Sequence, residues 1–127
     1  MLVLSTLPHF LCILPVLHLH GYVGVILLST TLSILYHLNE ESNAWINRLD
    51  HIMATIWFLY DVHLGLHYSV LGPVLEANLV SFFLHIGLSR PYYLHSLWHF
   101  ANAYKCWYVS SLLKSALHPL GHLHGIR

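Results

Sequence analysis

The sequence predicts an all-α integral membrane protein, a single bundle of about five transmembrane helices. Two observations carry this expectation. The chain is 57% hydrophobic and 8% charged, with a mean hydropathy of +0.63, whereas a soluble domain holds about 25% charged residues. Its apolar residues also fall into five segments divided by turn signals. Strands are disfavoured, because an open sheet leaves its edge groups unsatisfied in lipid. Formal net charge is zero, and without a basic patch nucleic acid is not expected as a partner.

The first segment, 2–17, contains Pro8 and Pro15, which kink or end a helix. Its start lacks a basic region and a small-residue cleavage site, so it reads as a retained helix rather than a cleaved signal peptide. His20-Gly21 separates it from the second segment, 21–38. The polar run Asn39-Glu40-Glu41-Ser42-Asn43 follows, with its glutamates read as solvated. The third segment is 46–67, and Gly72-Pro73 divides it from the fourth, 72–88. Ser89-Arg90-Pro91 leads into the fifth, 92–117, with proline near the first turn. A membrane helix needs roughly 17–25 residues, so the first and fourth are short but allowable. Residues 118–127 are rich in glycine and histidine and are expected to fray. No repeat or linker divides residues 1–127, which read as one domain.

Arg48 and Arg90 fall on one side of this arrangement, Lys114 and Arg127 on the other. The positive-inside rule therefore assigns no orientation. Trp45, Tyr92 and Tyr93 fit an interfacial belt, and Tyr104, Trp107 and Tyr108 read as packing residues. Cys12 and Cys106, the two cysteines, both lie in apolar segments, and no disulfide framework is expected. With no Cys-x-x-Cys pair, a zinc site would have to use histidine and carboxylate.

Thirteen histidines far exceed ordinary usage. Ser33-x-x-x-His37 puts a hydroxyl and an imidazole one turn apart on one helical face. Asp50 follows near the start of the third segment, and His95-x-x-x-His99 near the start of the fifth. With five helices, the end of the second and the starts of the third and fifth lie at one membrane face. Ser33 and His99 would sit roughly 6 Å deeper than His37 and His95. Polar residues in such segments point to function. Three neutral imidazoles suit a catalytic zinc, which lowers the pKa of a bound water to about 7. Asp50 would orient that water and take its proton, and Ser33 would hydrogen-bond the water or the developing oxyanion.

In this order, the three pieces resemble the CREST superfamily of membrane hydrolases. That group holds alkaline ceramidases, progestin and adipoQ receptors, and GPI-anchor lipid-remodelling proteins. Tyr36-His37 and His95-Ser96-Leu97-Trp98-His99 look most like the GPI-remodelling branch. The resemblance implies an intramembrane Zn2+ held by His37, His95 and His99, with Ser33 and Asp50 beside the water. It also implies a membrane lipid substrate, cleaved at an amide or ester, and an endomembrane or plasma-membrane location. The chain departs from the family's seven helices: the 44 positions 51–94 hold two spans. Losing one helix pair preserves the parity that gathers the site.

Other readings stand beside this one. A receptor-like or structural membrane protein would hold the same zinc without turnover. His63-x-x-x-His67, with His18, His20, His118, His122 and His124 toward the same side, would suit a second metal or a haem. His9 and His85 have no evident partner, and His51, turned about 100° from Asp50, reads as structural. Asp50 would also serve as a helix N-cap, and Ser33 would also bond back to its own helix. No nucleophile elbow marks an acyl-transfer triad. Finally, Lys105 is expected to pair inside the bundle with Asp61 or Glu76, since an unpaired charge there costs at least about 2.5–3.5 kcal/mol. Depth and azimuth bring Lys105 closer to Glu76, leaving Asp61 to line the cavity.

Overall fold

Helices make up the secondary structure of the computed structural model, which describes residues 2–39, 43–88 and 92–123. Side chains are described within 3–39, 43–88 and 94–117. The expectations for Glu40, Glu41, Ser89-Arg90-Pro91, the Tyr92 and Tyr93 side chains, and the His118, His122 and His124 side chains lie outside these residues.

The first helix is composite. An α-helical turn, α1 (Leu2–Thr6), runs into a ten-residue 3-10 helix, Leu7–Val16. Pro15 has no N–H, and in an α-helix its ring would meet the carbonyl of Leu11. The tighter winding avoids that clash and lengthens the segment, since a 3-10 helix rises about 2.0 Å per residue against about 1.5 Å. The two pieces together span about 28 Å.

Four α-helices follow: α2 (His20–Leu38), α3 (Ala44–His67), α4 (Leu71–Leu88) and α5 (Tyr92–Leu123). Asn43 caps α3, its Oδ1 accepting from the Trp45 and Ile46 amides at 3.0 and 3.2 Å. The capping role considered for Asp50 therefore belongs to Asn43. The break between α3 and α4 falls at Tyr68–Val70, not at Gly72-Pro73. There the Val70 amide donates to Gly65 O at 2.8 Å and the Ser69 amide to Leu66 O at 3.3 Å. This is a Schellman ending, with Ser69 at φ +59° in the place glycine usually takes. Gly72 and Pro73 sit in the first turn of α4, where a missing N–H costs nothing. The last helix continues past 117, through Pro119, to Leu123.

The helices form a closed ring. Each packs on its neighbour in sequence, and the first packs on the last. Four antiparallel steps separate the first helix from the last, and an even number makes that closing pair parallel. Cys12 Sγ donates to Ala103 O at 3.3 Å, one turn beyond where His9 meets Asn102. α3 and α4 approach closely where Gly65 faces Val74: a Cβ on Gly65 would lie 3.2 Å from Leu71 Cα and 3.3 Å from Val74 Cβ. One half of the ring is plugged by Val16, Ile26, Leu64, Val74, Val109 and Leu113, all buried. The other half is hollow.

Four expectations need correction or placement. Tyr104, Trp107 and Tyr108 are exposed rather than packed inside, because the inward face of α5 follows His99, Ala103, Cys106, Val109 and Leu113. Glu76 is also exposed; it lies two residues, about 200°, from the inward Val74. The partner of Lys105 is Asp61, with Nζ 3.2 Å from Oδ2. Trp45, expected in an interfacial belt, is exposed. α2 and α4 are long and apolar enough to cross a membrane.

Candidate metal centre

The hollow half holds a cavity of about 670 Å³, lined from all five helices. α2 contributes Thr30, Ser33 and His37, at spacings of three and four that keep them on one face. α3 contributes Asp50, Ala54 and Phe58 by the same spacing, and α5 contributes His95, His99 and Asn102. The five residues singled out from the sequence thus all face one space.

His37, His95 and His99 each offer a ring nitrogen, and these atoms lie within 4.8 Å of one another. The His37 and His99 Nε2 atoms are 2.9 Å apart. At that distance the two nitrogens either share one hydrogen or, with both lone pairs free, face one cation. The rings meet edge to face, with centroids 4.8 Å apart for His37–His99, 4.7 Å for His95–His99 and 5.4 Å for His37–His95. A tetrahedral ion with Zn–N bonds of about 2.0–2.1 Å holds its ligand nitrogens about 3.3 Å apart. The donor set suits such an ion by type, and with nitrogens 2.9 Å apart in one pair and all within 4.8 Å, modest ring rotations would bring the three onto one ion. No second cluster of this kind occurs among the described residues. His63 and His67 are exposed, each with its ring against a tyrosine, Tyr60 and Tyr68.

Thr31 uses its hydroxyl on Leu27 O at 2.8 Å. Ser33, two residues on, faces the cavity instead. Asp50 is half-buried at the wall, and His51 beside it lines the same space while bonding through Nδ1 to Asn47 O at 2.8 Å.

Two histidines set aside in the sequence belong here. His9 is buried, and its ring lies edge-on to His99, centroids 6.4 Å apart. Its Nδ1 bonds to Thr6 O at 2.9 Å, and a carbonyl only accepts. Nδ1 therefore carries the hydrogen, and Nε2 accepts from Asn102 Nδ2 at 3.1 Å. Asn102 Oδ1 in turn accepts from Ser81 Oγ at 2.9 Å. This chain ties the first helix, α5 and α4 together behind His99. His85 lines the cavity against Trp98, ring centroids 4.5 Å apart. His85 Nδ1 and Trp98 Nε1 are buried with no hydrogen-bond partner. Parity was the signal for both residues: the first helix starts, and the fourth ends, at the end of the bundle that holds His37.

At its inner end the cavity meets a polar layer. Lys105 Nζ lies 3.2 Å from Asp61 Oδ2 and 3.1 Å from Asn78 Oδ1, and 5.2 Å from the Trp57 ring centroid. Asp61 is fully buried and also accepts from Tyr22 OH at 2.6 Å and Asn78 Nδ2 at 3.1 Å. Lys105 faces the cavity, and Asp61 lies behind it.

Sideways the cavity opens between α3 and α4. Ala54, Thr55, Phe58, Leu79 and Phe82 line it and are also exposed on the outer surface. The two helices meet at Gly65–Val74, and toward the histidines the exposed lining residues form a largely apolar slot between them. Comparison with protein-family models, curated proteins and solved structures finds no match to this chain.

Proposed function

We propose that this chain is a membrane-embedded, zinc-dependent hydrolase acting on an amide or ester bond of a lipid. The observation that carries the reading is the histidine triad, with ligand atoms within 4.8 Å of one another, set in the same cavity wall as Ser33 and Asp50. Three imidazoles and no thiolate favour a borderline ion such as zinc over calcium or magnesium. Bound there, a divalent ion would polarise the scissile carbonyl and make a water more acidic.

Asp50 is the proton acceptor for the attacking water, and it is the carboxylate that faces the cavity. Ser33, one turn from His37, donates its hydroxyl hydrogen to the oxygen on which charge develops. His9 fixes the wall behind His99 through Thr6 and Asn102, which is the orienting role that outer residues play around a metal. The apolar slot of Phe58, Leu79 and Phe82 takes the acyl chain.

Three features support placement in a membrane. Only 22% of the apolar window of α2 and 11% of that of α4 is buried inside the bundle. A core helix of a water-soluble protein would be mostly covered. Leu79, Val80, Phe82, Phe83 and Ile86 are all exposed on α4, an apolar surface of the kind that water-soluble monomers avoid. The 3-10 winding also lets the short first segment reach about 28 Å, close to the roughly 30 Å of a bilayer core.

The test is elemental analysis of the detergent-purified protein beside a His99→Ala variant, followed by assay on lipid esters and amides. About one zinc per chain, lost in the variant, is expected, with turnover that Asp50→Asn abolishes. Wild-type protein without metal would overturn the site. Zinc without turnover on any lipid would overturn the hydrolase and leave a structural or receptor-like metal protein.

A further inference from the structure

The ring has five seams, and the chain itself closes four of them by running from one helix into the next. The fifth, between the first helix and α5, joins segments far apart in sequence. It is also the seam across which the two cysteines of the chain meet. Cys12 lies on the 3-10 helix and Cys106 on α5, and both thiols are buried in one core cluster. Cys12 Sγ donates to Ala103 O at 3.3 Å, which places it over the turn that carries Cys106. A helical side chain leans back over the preceding turn, so Cys106 points toward Ala103 and the Cys12 thiol seated on it, in the same core cluster. A parallel helix pair keeps the two at one depth.

We infer that Cys12 and Cys106 are a cross-linking site, whose disulfide closes the helix ring covalently at the seam that the chain leaves open. The oxidant is a low-molecular-weight disulfide. One cysteine thiolate attacks it, forming a mixed disulfide and releasing one thiol. The second cysteine thiolate then attacks the protein sulfur of that mixed disulfide, releasing the second thiol. Two protein thiols and one small disulfide become one protein disulfide and two small thiols. Both cysteines are 1% exposed or less, so the reaction needs the seam to open, during folding or by local unfolding. The finished bond is shielded from reductants by the same burial. The inference is independent of the metal centre, whose residues it does not use.

The experiment incubates the detergent-solubilised protein with oxidised glutathione a few degrees below its thermal midpoint, then denatures it, labels it with a maleimide and measures the intact mass. The expected product is a monomer two hydrogens lighter, with no maleimide and no glutathione attached, and with a higher thermal midpoint than the untreated protein. Cys106→Ser should stop at the mixed disulfide on Cys12, which shows that the oxidant reached the seam. Wild-type protein that keeps two glutathiones, keeps two maleimide-reactive thiols while the Cys106→Ser control is modified, or cross-links only between chains would overturn the proposal. So would a control that stays unmodified at every temperature up to the midpoint, since the seam would then never open to an oxidant.

Discussion

Lys105 and Asp61 form an ion pair at the inner end of the cavity, 3.2 Å from nitrogen to oxygen, with the carboxylate fully buried and the lysine side chain 11% exposed. The pair links α5 to α3, two helices that otherwise barely touch. Asp61 is satisfied by Tyr22, Asn78 and Lys105 together, so its charge is held by three helices besides its own.

Breaking this pair from one side strands the other charge. Lys105→Met or Asp61→Leu alone is expected to cost about 3–5 kcal/mol, as for other buried pairs. The double variant should lose clearly less than the sum of the two, because no lone charge remains. Glu76→Leu, at an exposed position, should show no coupling to Lys105→Met. Thermal unfolding in detergent of the wild type, the three single variants and the two double variants, Lys105→Met with Asp61→Leu and Lys105→Met with Glu76→Leu, reads all of these. Additive losses would show that the two charges do not support each other.

Metal retention should depend on pH with a definite sign. An imidazole binds metal only when neutral, and free histidine takes up its proton near pH 6.5. Protons therefore compete with the ion as pH falls, and three ligands make the loss steep. Zinc content after dialysis should hold at pH 7.5 and collapse by about pH 5. A chelator at pH 7.5 should produce the same apo protein, and zinc should restore it. Full retention at pH 4.5 would mean that His37, His95 and His99 are not the ligands.

The site was legible in the sequence where two signals agreed. His37, His95 and His99 stood out by four-residue spacing, and helix parity put them at one end of the bundle. His9 and His85 satisfied the parity but lacked a partner one turn away, and their neighbours come from other helices. Glu76 was misjudged because only its depth was weighed and not its own azimuth on α4; Val74, Asn78, Ser81 and His85 already mark the inward face of that helix. The 3-10 winding of Leu7–Val16 was not legible. Proline announces a departure from the α-helix without saying which one. The α3–α4 break was hidden because Ser69 holds a conformation that glycine normally signals, while the stronger turn signal at Gly72-Pro73 lay inside the next helix.

That misplaced signal gives its own prediction. Ser69 pays the steric cost of φ +59° because the Schellman hydrogen bonds of Val70 and Ser69 require it. Ser69→Gly removes the Cβ clash, worth about 1–2 kcal/mol. It also frees the unfolded chain, which offsets up to about 1 kcal/mol. The net expectation is a stabilisation of about 0.5–1 kcal/mol, read as a rise in thermal midpoint. Ser69→Val should do the opposite, since a β-branched residue tolerates this region least. Equal midpoints for all three would mean that the turn does not hold this conformation.

The slot between α3 and α4 makes the most direct demand on the proposed substrate. Ala54 lies on its α3 wall one turn from Asp50, exposed outside and lining the cavity inside. Ala54→Trp would fill the slot with an indole and leave His37, His95, His99, Ser33 and Asp50 in place. An exposed position accepts the larger ring without a core to strain, so stability should change by less than about 0.5 kcal/mol. Zinc content should be unchanged. A long acyl chain leaving sideways through the slot would be obstructed, whereas a short one fits within the cavity. Turnover of long-chain esters should therefore fall at least tenfold relative to short-chain esters, which corresponds to about 1.4 kcal/mol of lost transition-state binding. Phe82→Ala, which widens the slot from α4, should not reproduce that discrimination. If Ala54→Trp slows long and short substrates equally, the acyl chain does not use this path, and the slot is a surface furrow filled by bulk lipid.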